Sequence, residues 1–514
     1  MTFFTEITNP LIALLPPLLV IPFIIFFGER HRNFRELSIF IAGASLLAIN
    51  VVLYQNFIAG EVISSPQLVL FDGLLLYLKA EPLGILFALL ASFLWIVTTL
   101  YSVGYMRGHH ETNQTRFYVC FALAIASVMA AAYAGNLLTL FVAYEVITLS
   151  TYPLVTHAGT AKAKRAGRIY LGVLMGGSIA LLMPAIIVIW WLTGSIDFVS
   201  GGVFGNMVSE GVISPVVVTL LLVLIVFGTG KAAVMPFHAW LPNAMVAPTP
   251  VSALLHAVAV VKTGVFLIVK VVVYIFGFDL ISQTGAADLL LVVAAATILL
   301  ASLIAMTKDN LKERLAYSTI GQLSYIVLAA LIANKVAIEG AGLHIVTHAF
   351  GKITLFFCAG AIMVALHKKA ISEFDGIGKK MPYTMTAFMI AALSIIGLPP
   401  LAGVWSKMLI AEGAVDAGQL WLVAVLMISA LLNIAYLLPI PFRAFFKTEK
   451  IVSGGAVTTD NEAPFIQESS SIQESSSIQE APLACLLAIG ITTLGCIVLF
   501  FIPNTVQQLL SLIK

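Results

Sequence analysis

The stretch Gly228-Thr-Gly-Lys-Ala-Ala-Val-Met-Pro236 sets a lysine between glycine and proline at the end of an apolar run that begins near residue 215. A charge at mid-bilayer depth costs roughly 2.5–3.5 kcal/mol on insertion scales. Gly230 and Pro236 beside Lys231 interrupt the helix, and transporters use helices broken in mid-membrane to expose backbone groups at an ion site. The segment therefore reads as one broken span of a polytopic membrane protein. The same predicament recurs at Glu145, His256, Lys262, His344, His348, Lys352 and Lys407, all within otherwise hydrocarbon stretches. A chain that keeps so many buried ionisable groups is using them, and the natural use is to move protons or small cations.

Composition agrees. The 514 residues are 60% hydrophobic and 10% charged, with a mean hydropathy of +1.03, far from a soluble domain. A span needs ~20 mostly apolar residues. About fourteen such stretches occur, near 8–28, 36–57, 82–104, 117–134, 136–155, 168–193, 215–235, 251–276, 287–306, 317–333, 340–366, 384–412, 419–442 and 482–503. The runs are continuous rather than alternating, so helices are expected and a barrel is not. The fold class is an all-α polytopic membrane protein. Residues 1–30 make a poor signal peptide, with no basic segment before the apolar run.

The basic residues alternate with the turns. With the N-terminus outside, the cytoplasmic turns hold most of them, including Arg30, Arg107, Lys162, Arg165, Lys312, Lys368, Lys369 and Arg443, whereas Lys79, Lys335 and Lys514 fall on the other side. The expected location is the cell (inner) membrane. The net charge of +2 thus reflects topology and gives no reason to expect nucleic acid. Cys120, Cys358, Cys485 and Cys496 are far apart with no C-x-x-C, and read as packing residues. A P-loop and a dinucleotide fingerprint are both missing, so the chain is expected to need no cofactor and to draw energy from an ion gradient or a partner. Residues 1–442 form the expected membrane domain, and 482–514 a last helix with the C-terminus. Between them, residues 443–481 contain the hexamer Ile466-Gln-Glu-Ser-Ser-Ser471 in tandem copies, read as a disordered cytoplasmic loop.

The chemistry sits in two blocks. In Phe141-Val-Ala-Tyr-Glu-Val-Ile-Thr-Leu-Ser-Thr-Tyr-Pro153, Glu145 is the one charge. An isolated buried carboxylate keeps a proton or finds a cation. Lys231 is the expected partner, with a permanent pair that merely staples two helices as the alternative. After a proline-rich turn, in which His238 reads as an ordinary interfacial residue, comes a helix with His256 and Lys262. Their separation puts them ~9 Å apart along the axis and on different faces, as relay stations rather than one site. In the second block, Leu343-His-Ile-Val-Thr-His-Ala-Phe-Gly-Lys352 sets His344, His348 and Lys352 at i, i+4 and i+8 on one face. An i, i+4 histidine pair suits a metal, but no neighbouring carboxylate or cysteine completes a site, and none is expected. Gly397-Leu-Pro-Pro-Leu-Ala-Gly-Val-Trp-Ser-Lys407 gives a second proline-broken helix followed by a lysine. Break plus lysine in both halves suggests inverted repeats, about 117–276 and 287–442. Lys270, nearer a helix end, is expected to snorkel to the interface.

The phrases Lys231-Ala-Ala-Val-Met-Pro-Phe-His-Ala-Trp-Leu-Pro242, Pro248-Thr-Pro-Val-Ser-Ala-Leu-Leu-His-Ala257, His348-Ala-Phe-Gly-Lys352 and Gly397 to Lys407 resemble the antiporter-like membrane subunit family. Its members are the large membrane subunits of respiratory complex I, Mrp-type sodium/proton antiporters and membrane-bound hydrogenases. The resemblance covers roughly residues 70–440 and is nearest to the D-type subunit of Mrp antiporters. It implies fourteen helices, two inverted five-helix repeats and a proton path along the mid-membrane axis. In that pattern Glu145 and Lys231 are the first pair, Lys262 and the histidines the central relay, and Lys407 the terminal station. The implied partners are other membrane subunits, protons and monovalent cations, within a lipid bilayer. A redox-driven complex and a purely structural scaffold are the alternatives. Two features depart from the family pattern. Gly351 stands where an aromatic is usual, and the serine-rich repeat is extra.

Overall fold

The computed structural model describes residues 8–71, 73–205, 207–254, 259–448 and 478–513. Helices follow almost continuously. After a 3-10 turn at Pro10–Leu14 come α1 (Leu15–Phe27), α2 (Arg32–Ile58), α3 (Pro82–Gly108), α4 (Gln114–Ala132) and α5 (Leu137–Val155). Next are α6 (Ala161–Gly177), α7 (Met183–Thr193), α8 (Pro215–Gly228), α9 (Trp240–Asn243), α10 (Thr249–Leu254), α11 (Val260–Val271) and α12 (Phe278–Thr284). Then follow α13 (Asp288–Thr307), α14 (Leu311–Ile332), α15 (Lys335–Leu366), α16 (Ile377–Lys380), α17 (Pro382–Ile396) and α18 (Gly403–Asp416). The chain closes with α19 (Leu420–Leu437), α20 (Pro439–Phe446), α21 (Leu483–Phe501) and α22 (Pro503–Leu510). A small antiparallel hairpin, Leu68–Phe71 with Leu74–Leu76, is the one sheet among the described residues and lies in the linker before α3.

Among the described residues, eleven helical segments are long and apolar enough to cross a membrane, and a twelfth candidate, Val260–Phe276 with Phe278–Thr284, is bent by 85°. The remaining expected spans are represented by the shorter apolar helices Pro215–Gly228 and Pro382–Ile396. The shortfall against the expected fourteen thus falls at the interrupted helices. These three segments border or contain Lys231, Lys262 and Lys407. Burial grades across the bundle: α14 is 94% buried over its span, whereas the spans formed by α1, α2, α21 and the α19–α20 pair are each about one-third buried and present leucine, phenylalanine and tryptophan outward. Outward apolar surface on this scale is what a protein solvated by lipid shows.

Each break satisfies its own backbone. At the first, α8 stops at Gly228, a 3-10 turn spans Gly230–Ala232, and Ala233 takes φ +54°. The Gly230 carbonyl accepts from Trp240 Nε1 at 2.8 Å, and the Lys231 amide donates to Tyr144 Oη at 3.1 Å. At the second, α17 ends at Gly397 with φ +91°, a conformation glycine adopts at no steric cost. Lys407 Nζ donates to the Ile395 and Ile396 carbonyls at 2.8 and 2.9 Å, and the Ala402 amide donates to the Cys496 carbonyl at 3.0 Å. A buried polar backbone group without a partner costs several kcal/mol in a bilayer, so these bonds make both interruptions tolerable.

Two expectations need correction. Lys270 does not snorkel: it is fully buried in α11, and its Nζ pairs with Glu81 at 2.9 Å and donates to the Ala134 carbonyl at 2.8 Å. The end of the polar segment is not loose either. The Gln479 amide donates to the Lys380 carbonyl, and the Glu480 carboxylate accepts from the Tyr383 amide at 2.8 Å, the Thr384 amide at 3.2 Å and the Thr384 hydroxyl. A carboxylate there complements the free amides and the dipole at the N-terminus of α17. The hexamer copies at 466–477 lie outside the described residues.

Gly264 of α11 packs on the first break so closely that a Cβ there would sit 2.4 Å from the Ala232 nitrogen and 2.5 Å from the Lys231 carbonyl carbon. Both are backbone atoms and cannot swing aside. Gly264→Ala is therefore expected to destabilise the chain by about 1–3 kcal/mol. Thermal denaturation in detergent checks this, read as a lower midpoint than the parent protein's.

Candidate functional site

Lys231 leaves the break toward α5. Its Nζ donates to the Tyr144 carbonyl at 2.7 Å and to Thr148 Oγ1 at 2.6 Å, and lies 3.0 Å from the centre of the Tyr144 ring. Lys231 is fully buried. Lys231 makes no hydrogen bond to Glu145, so the permanent closed pair is not what the structure shows. Tyr144 and Thr148 are i and i+4 and share the helix face turned to Lys231, whereas Glu145 is rotated by about 100° from Tyr144. Both Glu145 carboxylate oxygens are buried and have no hydrogen bond among the described residues. Glu145 nevertheless acts on Lys231 electrostatically. Their relation is that of neighbouring charges rather than a closed ion pair.

The centre of the bundle holds the second group. Lys262 Nζ of α11 lies 2.7 Å from His348 Nδ1 of α15. The His348 and His344 rings follow each other at 5.7 Å between centroids, almost parallel at 17°. His344 Nδ1 is 2.9 Å from Ser406 Oγ on α18, next to Lys407, and Tyr325 of α14 stacks on the other side of His344 at 5.6 Å. Lys407 Nζ lies 5.1 Å from the centre of that same tyrosine ring. Polar and aromatic groups thus run unbroken from Lys262 through both histidines to Lys407. Lys262, His344, His348 and Lys352 are each at most 2% exposed.

Lys352 shares the histidine face but branches away from this line. Its Nζ donates to Ser318 Oγ, which is 2.7 Å from Tyr436 Oη, and that hydroxyl donates to Asn433 Oδ1 at 2.6 Å. Several polar atoms of α14 and α15 are buried without a hydrogen bond among the described residues, including His344 Nε2, His348 Nε2, Gln322 Oε1 and Ser324 Oγ. His256 falls outside the described residues. His238 is half-buried, its ring 6.2 Å from that of Tyr317, away from the line.

Among the described residues no hydrogen-bonded carboxylate accompanies Lys231, Lys262, Lys352 or Lys407, whose partners are carbonyls, hydroxyls, a histidine and aromatic faces. Neutral dipoles offset only part of the cost of burying a lysine's charge, and such a lysine can change protonation state without breaking a closed ion pair. No group of three metal-ligating side chains occurs among the described residues.

Gly351 acquires a reason. A Cβ there would meet Ile395 Cδ1 at 2.7 Å, and the Ile395 carbonyl is one of those that hold Lys407. The missing side chain lets α17 sit against α15 at the height where Lys407 is anchored. What sequence reasoning did not find are the neutral partners Tyr144, Thr148, Ser318, Tyr325, Ser406 and Tyr436. Hydroxyl residues in apolar helices are common, and nothing local distinguishes these.

One end of the bundle carries a cavity of about 640 Å³. Its lining includes Tyr105, His109, Lys162, Arg165, Thr249, Lys312, Lys368 and Lys369. His109, Lys368 and Lys369 lie in turns and the others near helix ends, and the structure brings them together at this end of the bundle.

The family model described as NADH:quinone oxidoreductase/Mrp antiporter, TM, matches residues 134–433. NADH-quinone oxidoreductase subunit N of Desulforudis audaxviator is 35% identical over 373 residues, which cover 72% of this chain and 73% of the relative. NAD(P)H-quinone oxidoreductase chain 5 of Synechocystis sp. is 33% identical over 383 residues, 72% of this chain but 53% of the relative, so the match spans only about half of that longer protein. Among solved structures, a chain of the Mrp complex from Dietzia sp. superposes with a TM-score of 0.81 at 21% identity, covering 100% of this chain and 97% of that one. A chain of the archaeal membrane-bound sulfane sulfur reductase gives 0.81 at 22% identity, covering 98% and 96%. At such identities these two likenesses speak for the fold. With the family model over more than half of its length and a relative at 35% identity, the chain belongs to the NADH:quinone oxidoreductase/Mrp antiporter transmembrane family.

Proposed function

We propose that this family member is the proton-carrying subunit of a multisubunit monovalent cation/proton antiporter of the Mrp type, acting beside other membrane subunits. The observation that carries the proposal is the contact of Lys262 with His348 inside a line of buried groups that ends at Lys407. A proton that leaves one lysine raises the affinity of its neighbours for a proton, so charge at one station sets the state of the next. Lys231, with Glu145 close by and Tyr144 and Thr148 in contact, is the first station. Lys262 with His348 and His344 is the central one, Lys352 a side branch and Lys407 the last. The chain is read with its N-terminus outside and its basic turns in the cytoplasm. The two breaks are read as corresponding points of inverted repeats at about 117–276 and 287–442.

A second reading places the same relay in a redox-driven pump, and the identity with quinone oxidoreductase subunits favours it. The chemistry within this chain is the same in both. The energy source differs: an ion gradient drives the antiporter, whereas redox partners drive the pump.

Inverted vesicles from a host without antiporters, expressing this chain with its partner subunits, separate the readings. Sodium- or potassium-driven proton movement that vanishes in Lys231→Ala, with assembly intact, is the expected result. Proton pumping on addition of NADH or hydrogen, with no cation response, moves the chain to the redox-driven class. In the same vesicles His348→Ala removes the partner of Lys262, and a loss of at least tenfold in proton flux is expected at unchanged subunit content.

A further inference from the structure

The pair Glu81–Lys270 stands apart from the line just described. Glu81 immediately precedes α3, whose other end carries Tyr105 and leads into His109 at the cationic cavity. A helix of that length spans about 40 Å, so the pair and the cavity occupy opposite ends of the bundle. Lys270 lies eight residues beyond Lys262 on α11, on the same face and about 12 Å further along the axis. Phe266 stands between the two lysines on that face, with its ring 5.0 Å from that of Phe87, and both rings are buried. Beyond the pair, the half-buried Lys79 acts electrostatically on Glu81 and Lys270, and Tyr77 donates to Asp197, also half-buried, at 3.0 Å. The pair therefore sits one layer beneath the surface, with an aromatic plug on its inner side.

A static staple is a weak use for two buried charges, because desolvation offsets most of their attraction. We infer that Glu81 and Lys270 form the proton port of the chain at the end away from the cationic cavity, closed from the central lysine by the Phe87–Phe266 contact. This rests on the relay reading given above. In the proposed step, the proton on Lys270 Nζ passes to the Glu81 oxygen 2.9 Å away. That leaves a neutral amine and a carboxylic acid. Glu81 gives its proton to the surface beside Lys79, and Lys270 takes the next one from the Lys262 side when the rings part.

Arginine separates port from staple, since it keeps the ion pair with a carboxylate but does not release a proton. Proton flux of the whole complex in vesicles is measured for Lys270→Arg, for the charge-free double variant Glu81→Gln/Lys270→Met, and for Lys231→Ala as the relay control. The expected result is that Lys270→Arg assembles with unchanged thermal stability and loses at least tenfold of the flux, and that the double variant loses as much. Wild-type flux from either assembled variant, with Lys231→Ala inactive, overturns the port and leaves the relay standing. If Lys270→Arg does not assemble, the double variant decides by the same criterion. Failure of both to assemble overturns the port in favour of a structural pair. Wild-type flux from Lys231→Ala instead overturns the relay itself.

Discussion

Ammonium groups held in a hydrocarbon-rich bundle without a hydrogen-bonded carboxylate are the constraint on which the rest of this structure depends. Each must be met by dipoles the fold can spare, and each meets them differently. Lys231 takes a helix carbonyl, a threonine and a tyrosine face; Lys262 a histidine; Lys352 a serine backed by a tyrosine; Lys407 two carbonyls at the end of a broken helix. Breaking a helix frees carbonyls, so a break and a lysine solve one another's problem. That is clearest at the second break, where Lys407 of the following helix donates to the last carbonyls of the helix that stopped.

Such an arrangement is affordable only where the backbone comes very close. Gly264 lets α11 lie on the first break, Gly403 lets the start of α18 touch the Ser394 carbonyl, and Gly351 lets α17 approach α15. Each contact is made near a lysine station. Packing and electrostatics are therefore not separate layers of the design. A methyl group at Gly264 or Gly403 meets backbone atoms that cannot swing aside, whereas at Gly351 it meets the Ile395 side chain.

Much of the fold was legible in the sequence. Continuous apolar runs mark the spans, and glycine with proline around Lys231 and before Lys407 marks both breaks. The i, i+4, i+8 spacing correctly put His344, His348 and Lys352 on one face. What escaped depends on rotation and on distant partners. Adjacent residues of a helix point about 100° apart, so the sequence cannot say whether Lys231 meets Glu145 or Tyr144. Lys270 looked like a snorkelling lysine because its proximity to a helix end is visible, whereas Glu81, far away in sequence and just before an apolar run, is not recognisable as its partner. Glu480 escaped because a low-complexity repeat hides the residue that caps α17.

In the proposed relay, Lys262 gives up and regains a proton. The most direct test is the cation-driven proton flux of the assembled complex carrying Lys262→Arg, which keeps the positive charge and its reach toward His348 but does not release a proton. Flux reduced to background at normal assembly is the predicted result. Flux at the wild-type rate would mean that the central charge is needed only as a charge, and it would contradict a path of protons through this lysine.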